Sequence, residues 1–217
     1  MKLGTDGVLL GAWVRVGESD RRILDIGTGT GVIALMMAQR CAHSRITAVE
    51  IDAPSAADAR DNVAASPWSD RVEVVECDIS AYEPSSRFDL IISNPPYFSA
   101  SLLPPDRSRA AARHTGSLDF AQLLACVRRM LAPGGRFALV LPTDESLRFG
   151  RLAVSAGLFA ERTAEVWSTP RSGAIRVLTE YTDRPLPPPE CGRLVIDDGG
   201  GFSAEYRQLT KDFYLKF

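Results

Sequence analysis

Short apolar runs alternate along this chain with stretches whose apolar residues recur at helical spacing. Residues 22–26 (RILDI) read as a buried strand and 32–41 (VIALMMAQRC) as a helix. The pair recurs at 46–51 (ITAVEI) and 55–65 (SAADARDNVAA). A third strand covers 72–75 and leaves through 77–79, and a fourth covers 88–93. Residues 120–131 are helical, Gly134-Gly135 turns the chain into a strand over 136–141, and 146–156 form another helix. Two β segments, 164–168 and 175–181, then follow without a helix between them. Strands separated by helices predict an α/β fold with a doubly wound, mostly parallel sheet. The two consecutive β segments predict an antiparallel pair at its edge. Residues 185–190 read as a stiff proline linker and 197–201 (DDGGG) as a flexible turn. With no internal repeat, one domain over 1–217 is expected, with a core at 22–182, an insertion at 98–118 and a tail at 202–217.

The chemically interesting residues fall where predicted strands end, which is where open parallel sheets bind ligands. After the first strand comes Asp25-Ile26-Gly27-Thr28-Gly29-Thr30-Gly31, a GxGxG loop that lets backbone approach a ligand. A dinucleotide fingerprint needs GxGxxG, and Val32 stands where its third glycine belongs. Glu50 closes the second strand, placed to grip ribose hydroxyls. Asp78, with Ile79 beside it, closes the third, placed to reach an adenine amino group. No GxxxxGK[ST] pattern is present, so the loop is no triphosphate cradle. An adenosine site of this kind suits S-adenosylmethionine.

The fourth strand runs into Asn94-Pro95-Pro96-Tyr97. Prolines donate no backbone hydrogen bond and hold the chain extended. They would fix two acceptors, the Asn94 side-chain oxygen and the Pro95 carbonyl, which can take hydrogen bonds from an NH2 group. With Asp25–Gly31, Glu50 and Asp78 before it, this stretch resembles that of a class I methyltransferase. The methyl transfer so implied requires the nitrogen lone pair of an adenine amine or an amide, delocalised into the π system, to point at the donor's methyl group. Acceptors on the NH2 orient it and favour the charge developing on nitrogen. Tyr97 offers a ring on which a flat substrate stacks, with Pro96 adjoining it. Asn94, Pro95 and Tyr97 are therefore candidate catalytic residues, and Asn94 also borders the donor. Residues 98–118 form a connection far longer than usual. Its Arg107, Arg109 and Arg113 can hold phosphates beside a flipped base, and His114 is a further candidate RNA contact.

Composition changes the picture in three respects. A net charge of −2 means that nucleic-acid binding must come from a local basic patch. Cys41, Cys77, Cys126 and Cys191 show no CxxC or histidine-rich spacing, which predicts buried reduced thiols and no metal site. No apolar run reaches the ~18 residues of a membrane span, and no signal segment follows Met1, so a cytoplasmic location without a membrane partner is expected.

Asp25–Gly31, Glu50, Asp78 and Asn94–Tyr97, in this order, resemble a class I methyltransferase across roughly 22–182. That resemblance implies a Rossmann-like sheet of seven strands with S-adenosylmethionine over the glycine loop. The Asn94–Tyr97 motif resembles that of N6-adenine and N4-cytosine methyltransferases, and enzymes acting on a glutamine side-chain amide share it. The stretches 4–11 (GTDGVLLG), 94–98 (NPPYF), 112–115 (ARHT) and 209–217 (LTKDFYLKF) are similar to the bacterial tRNA1(Val) (adenine-N6)-methyltransferase family. This finer resemblance covers nearly the whole chain and implies a tRNA partner, methylated on N6 of adenine 37, just 3′ of the anticodon. Locally, Asp6 or Thr5 can cap a helix beginning near Gly7, whose positive end would face the donor's methionine carboxylate. Thr5, Asp6 and Gly7 thereby join the candidate donor site. Phe213, Tyr214 and Phe217 are expected to dock and complete the core. The family also implies a segment ahead of Gly4; with Met1 so close, RNA affinity is expected to suffer more than donor binding. Two alternatives stay open: a protein-glutamine methyltransferase acting on a translation factor, and a non-catalytic RNA-binding module on the same fold. The basic loop favours RNA, and the intact Asn94–Tyr97 stretch favours catalysis.

Overall fold

The computed structural model describes residues 4–96, 119–185 and 187–214. Its strands are β1 (Arg22–Ile26), β2 (Arg45–Glu50), β3 (Val72–Glu76), β4 (Phe88–Ser93), β5 (Leu131–Pro142), β6 (Phe159–Trp167), β7 (Ala174–Thr182) and β8 (Glu190–Val195). The helices are α1 (Thr5–Trp13), α2 (Val32–Arg40), α3 (Ala53–Ala64), α4 (Phe120–Met130), α5 (Thr143–Ser155) and α6 (Ala204–Thr210). All eight strands share one sheet in the order β3-β2-β1-β4-β5-β7-β6-β8. The chain winds outward from β1 to β3, then returns beside β1 as β4 and winds the other way. The switch point therefore lies between β1 and β4.

β7 runs antiparallel to both β5 and β6, while β8 adds to β6 in parallel. The α/β sheet with its antiparallel pair towards one edge is as expected, with eight strands in place of seven. The extra strand begins at Glu190, which the sequence reading assigned to a linker. Only Leu194 of β8 is buried, so its sequence carries almost no apolar alternation. The Gly134-Gly135 turn falls inside β5 as an irregularity: Leu131 pairs with Phe88, but Arg136 pairs with Leu90.

Alternating side chains divide the core between the sheet's two faces. Ile23, Leu90 and Ala138 pack with Val8 and Leu9 of α1 and Met37 of α2. Leu24, Ile91 and Phe137 pack with Leu123 and Val127 of α4 and Phe149 of α5. The apolar face of α4 is started by a capping box, in which Asp119 accepts from Gln122 N at 2.7 Å and the Gln122 side chain accepts from Asp119 N at 3.1 Å. Phe213 and Tyr214 pack against the α1 side of the core, as expected of the tail, and Phe217 lies outside the described residues. All four cysteines are free; Cys41 and Cys126 are buried and Cys77 half-buried. Cys191 departs from the expectation of buried thiols because it sits on the solvent-facing part of β8. No described helix is long and apolar enough to cross a membrane.

Candidate active site

Four parallel strands end level with one another. Ile26 pairs with Val49 on one side and with Ser93 on the other, and Glu50 pairs with Glu76. Hydrogen bonds tie the departing loops together. Gly27 N and Thr28 N donate to Val49 O at 2.9 and 3.1 Å, and Cys77 N donates to Glu50 O at 3.0 Å. The buried Ser93 hydroxyl donates to Ile26 O at 3.0 Å, across the switch point. Asp25, Gly27, Gly29, Gly31, Glu50, Asp78, Ile79, Asn94, Pro95 and Pro96 are thus brought onto one rim.

The glycine loop turns through positive φ at Gly27 (+69°) and Gly29 (+58°), a conformation that side chains resist. A Cβ built at either would meet no atom within 4 Å, so this face of the loop borders open space. Gly31 does a different job: its Cβ would lie 3.5 Å from the Ala59 Cβ, which lets α3 pack against the loop.

Two carboxylates hold the loop. Asp25 is fully buried, and its Oδ2 accepts from the Thr28 hydroxyl at 2.5 Å and from Ala34 N at 3.2 Å. Its Oδ1 is buried and has no hydrogen-bond partner among the described residues. Burial pushes the Asp25 carboxyl up to about 7, against the lowering by those two hydrogen bonds. Glu50 accepts three backbone N–H groups, from Gly29 on Oε2 at 2.8 Å and from Ile51 and Asp52 on Oε1, each at 2.9 Å. It is therefore a clamp between the loop and the end of β2.

Asp78 is exposed beside the rim, its Oδ1 accepting from Ser80 N at 2.8 Å, while Ile79 is buried beneath it. Asn94 is half-buried, Pro95 buried and Pro96 exposed. A Cβ at Gly7 would lie 3.6 Å from Asn94 Nδ2, so the first turn of α1 reaches the asparagine. The capping expectation is corrected: α1 starts at Thr5, its N-cap is Gly4, and no side chain caps it. Asp6 lies within the first turn and instead pairs with Arg176 Nε at 2.8 Å. The attraction of a guanidinium outweighs a bond to a helix N–H. Tyr97, Arg107, Arg109, Arg113 and His114 lie outside the described residues.

Sequence reasoning missed two residues here. Ile51, next to Glu50, leaves half of its surface exposed at the rim. An apolar residue following the acid at a strand end was the available signal. Arg176 gave none, because its partner is 170 positions away.

A family model described as "Methyltransferase small domain" matches residues 8–148. A curated tRNA1(Val) (adenine(37)-N6)-methyltransferase of Phocaeicola vulgatus is 47% identical to the chain, covering 99% of it and 91% of the relative. The chain belongs to this methyltransferase family. A member from Aeromonas hydrophila is 48% identical, covering 100% of this chain and 91% of its own length. Among solved structures, a predicted O-methyltransferase from Agrobacterium tumefaciens superposes with a TM-score of 0.73 at 20% identity, covering 95% of this chain and 96% of its own. The glycopeptide N-methyltransferase MtfA, complexed with S-adenosylmethionine, gives 0.59 at 18% identity, covering 82% and 95%. These two likenesses concern the fold.

Proposed function

We propose that the chain methylates N6 of adenine 37 in a valine tRNA, with S-adenosylmethionine as donor. The observation that carries this reading is the level rim, on which Asn94 stands one strand away from an open glycine loop and against the first turn of α1. The full-length relatives bearing the tRNA methyltransferase name support the choice of acceptor.

The residues present fit the donor. The open space over Gly27 and Gly29 admits its methionine portion, and Asp25 Oδ1, orphaned among the described residues, would favour the donor's positive charge nearby. Glu50 Oε2 accepts one backbone bond and keeps a lone pair for a ribose hydroxyl. A second hydroxyl would compete with Gly29 N–H for the same carboxylate. Ile51 gives the adenine an apolar face and Asp78 an acceptor for its amine. When bound, S-adenosylmethionine supplies a methyl group on a readily departing sulfonium.

The chain's own contribution is orientation. Asn94 Oδ1 and the Pro95 carbonyl accept from the target NH2 and turn its lone pair towards the donor side. The Ser93–Ile26 bond holds these acceptors at a fixed height relative to the glycine loop. No strong base is required, since the methylated nitrogen becomes acidic and gives its proton to water. Tyr97, Pro96, Arg107, Arg109, Arg113 and His114 are assigned to the tRNA.

The deciding experiment incubates a tRNA pool and labelled donor with the protein, followed by nucleoside digestion. Labelled N6-methyladenosine is expected. Label on a glutamine of a translation factor, with tRNA unmodified, would overturn the acceptor.

A further inference from the structure

Arg176, Leu178 and Glu180 alternate along β7 and so share one face of the sheet. Leu178 packs there in the same cluster as Val8 and Leu9, which identifies that face as the one α1 covers. The two charged residues engage opposite ends of the helix. At its start, Arg176 Nε meets Asp6 at 2.8 Å, both side chains being half-buried. At its end, Glu180 is wholly buried and accepts from Arg15 N at 2.6 Å, Arg15 Nε at 2.9 Å and Arg162 Nε at 3.0 Å. Arg162 in turn donates to Trp13 O at 2.7 Å and lies over the Trp13 ring at 3.8 Å.

The spacings agree. Four steps along an antiparallel strand span ~13 Å. The nine residues of α1 span about 13 Å as well. Arg176 and Glu180 thus stand about as far apart along β7 as the two ends of α1, which covers the same face of the sheet and packs on the neighbouring β5. The quantity this match sets is the height of the first turn, where Gly7 abuts Asn94.

We propose that β7 registers α1 through these two charged anchors, and that Arg176, through Asp6, is a positioning residue for Asn94. This rests on the reading of Asn94 as the group that orients the target amine. Two glycines in the helix explain why an external anchor is needed: Gly7 and Gly11 allow close packing on Asn94 and Met36 but weaken the helix itself. The Glu180 anchor alone would leave the first turn to fray, since it holds only the far end.

The test uses Arg176→Gln, Asp6→Asn and the double variant in the full chain. Exchange of the Val8 amide, which closes the first turn of α1 on Gly4 O, should rise ~10-fold or more in each, with the Trp13 end unchanged. Turnover on tRNA should fall ~10-fold, because small misplacements near reacting atoms are costly, while KM for tRNA and the melting temperature change little. The double variant should lose less than the product of the two single losses, as expected when the two changes share one interaction. Unchanged exchange, unchanged turnover alongside faster exchange, or losses that multiply in the double variant would each overturn the proposal. Exchange needs no substrate, so it still decides the anchoring if the wild type leaves tRNA unmodified. That last result would count against the proposed function instead.

Discussion

Replacing Asp25 with asparagine should change how stability depends on pH. The carboxyl is fully buried, and its ionised form would carry an oxygen with no hydrogen-bond partner among the described residues. Its pKa is about 7 in the folded chain against an ordinary value of 3.8. For an acid raised in this way, the stabilisation is fully present below the ordinary value. It is lost as pH rises, and the loss is complete once pH has passed about 7. A gap of roughly three pH units corresponds to roughly 4 kcal/mol in total, at about 1.4 kcal/mol per unit. Between pH 5.5 and pH 8, about 2 kcal/mol of this should be lost. Asn keeps an oxygen for Thr28 and Ala34 and cannot ionise, so the variant escapes the loss. Urea denaturation of both proteins across this range measures it, because every other titrating group cancels in the difference. The variant should gain about 2 kcal/mol on the wild type as pH rises. Parallel curves would mean that Asp25 ionises freely when folded and that burial does not govern it. In donor binding the sign reverses: an ionised Asp25 attracts a cation, so wild-type affinity should rise through about pH 7, and that of Asp25→Asn should stay flat.

Glu50→Ala should weaken S-adenosylmethionine binding by ~1.5–3 kcal/mol in calorimetry and lower the melting temperature, since it also frees three backbone N–H groups. Asn94→Ala should reduce turnover ~10²-fold or more with little change in donor affinity; near-normal turnover on tRNA would remove the asparagine from the mechanism. Replacing Arg107, Arg109 and Arg113 together should flatten the dependence of log tRNA affinity on log salt. Each lost phosphate contact should reduce the slope by ~0.7–0.9. An unaltered slope in a salt-series binding assay would place the phosphate contacts elsewhere.

The rim was legible because its parts are local. Each strand is a short apolar run, and each candidate residue lies at the end of its own strand in sequence, so GxGxG, Glu50, Asp78 and Asn94 could be read without knowing the pairing. What escaped depends on distant partners or on weak patterns. Asp6 read as a cap because such residues commonly bond their own helix, and only the return of β7 supplies Arg176. β8 was hidden because a strand that buries little has no alternation to detect, and the prolines before it pointed to a linker. Ile51 looked like the last core residue of β2, although the chain turns outward there and leaves it exposed.

That weakly patterned strand has a consequence for how molecules of this protein meet in a crowded solution. A sheet ends in rows of unpaired backbone groups, which another chain's strand can extend. β8 closes one end with exposed Glu190 and with exposed Arg193, which lies over the Trp167 ring, just after a run of prolines. β3 closes the other with exposed Glu73 and Glu76, the latter paired with Arg60 at 3.0 Å. Any strand adding at either border would have to strip water from these charges. The residues that made β8 hard to recognise as a strand are thus the ones that discourage edge-to-edge aggregation.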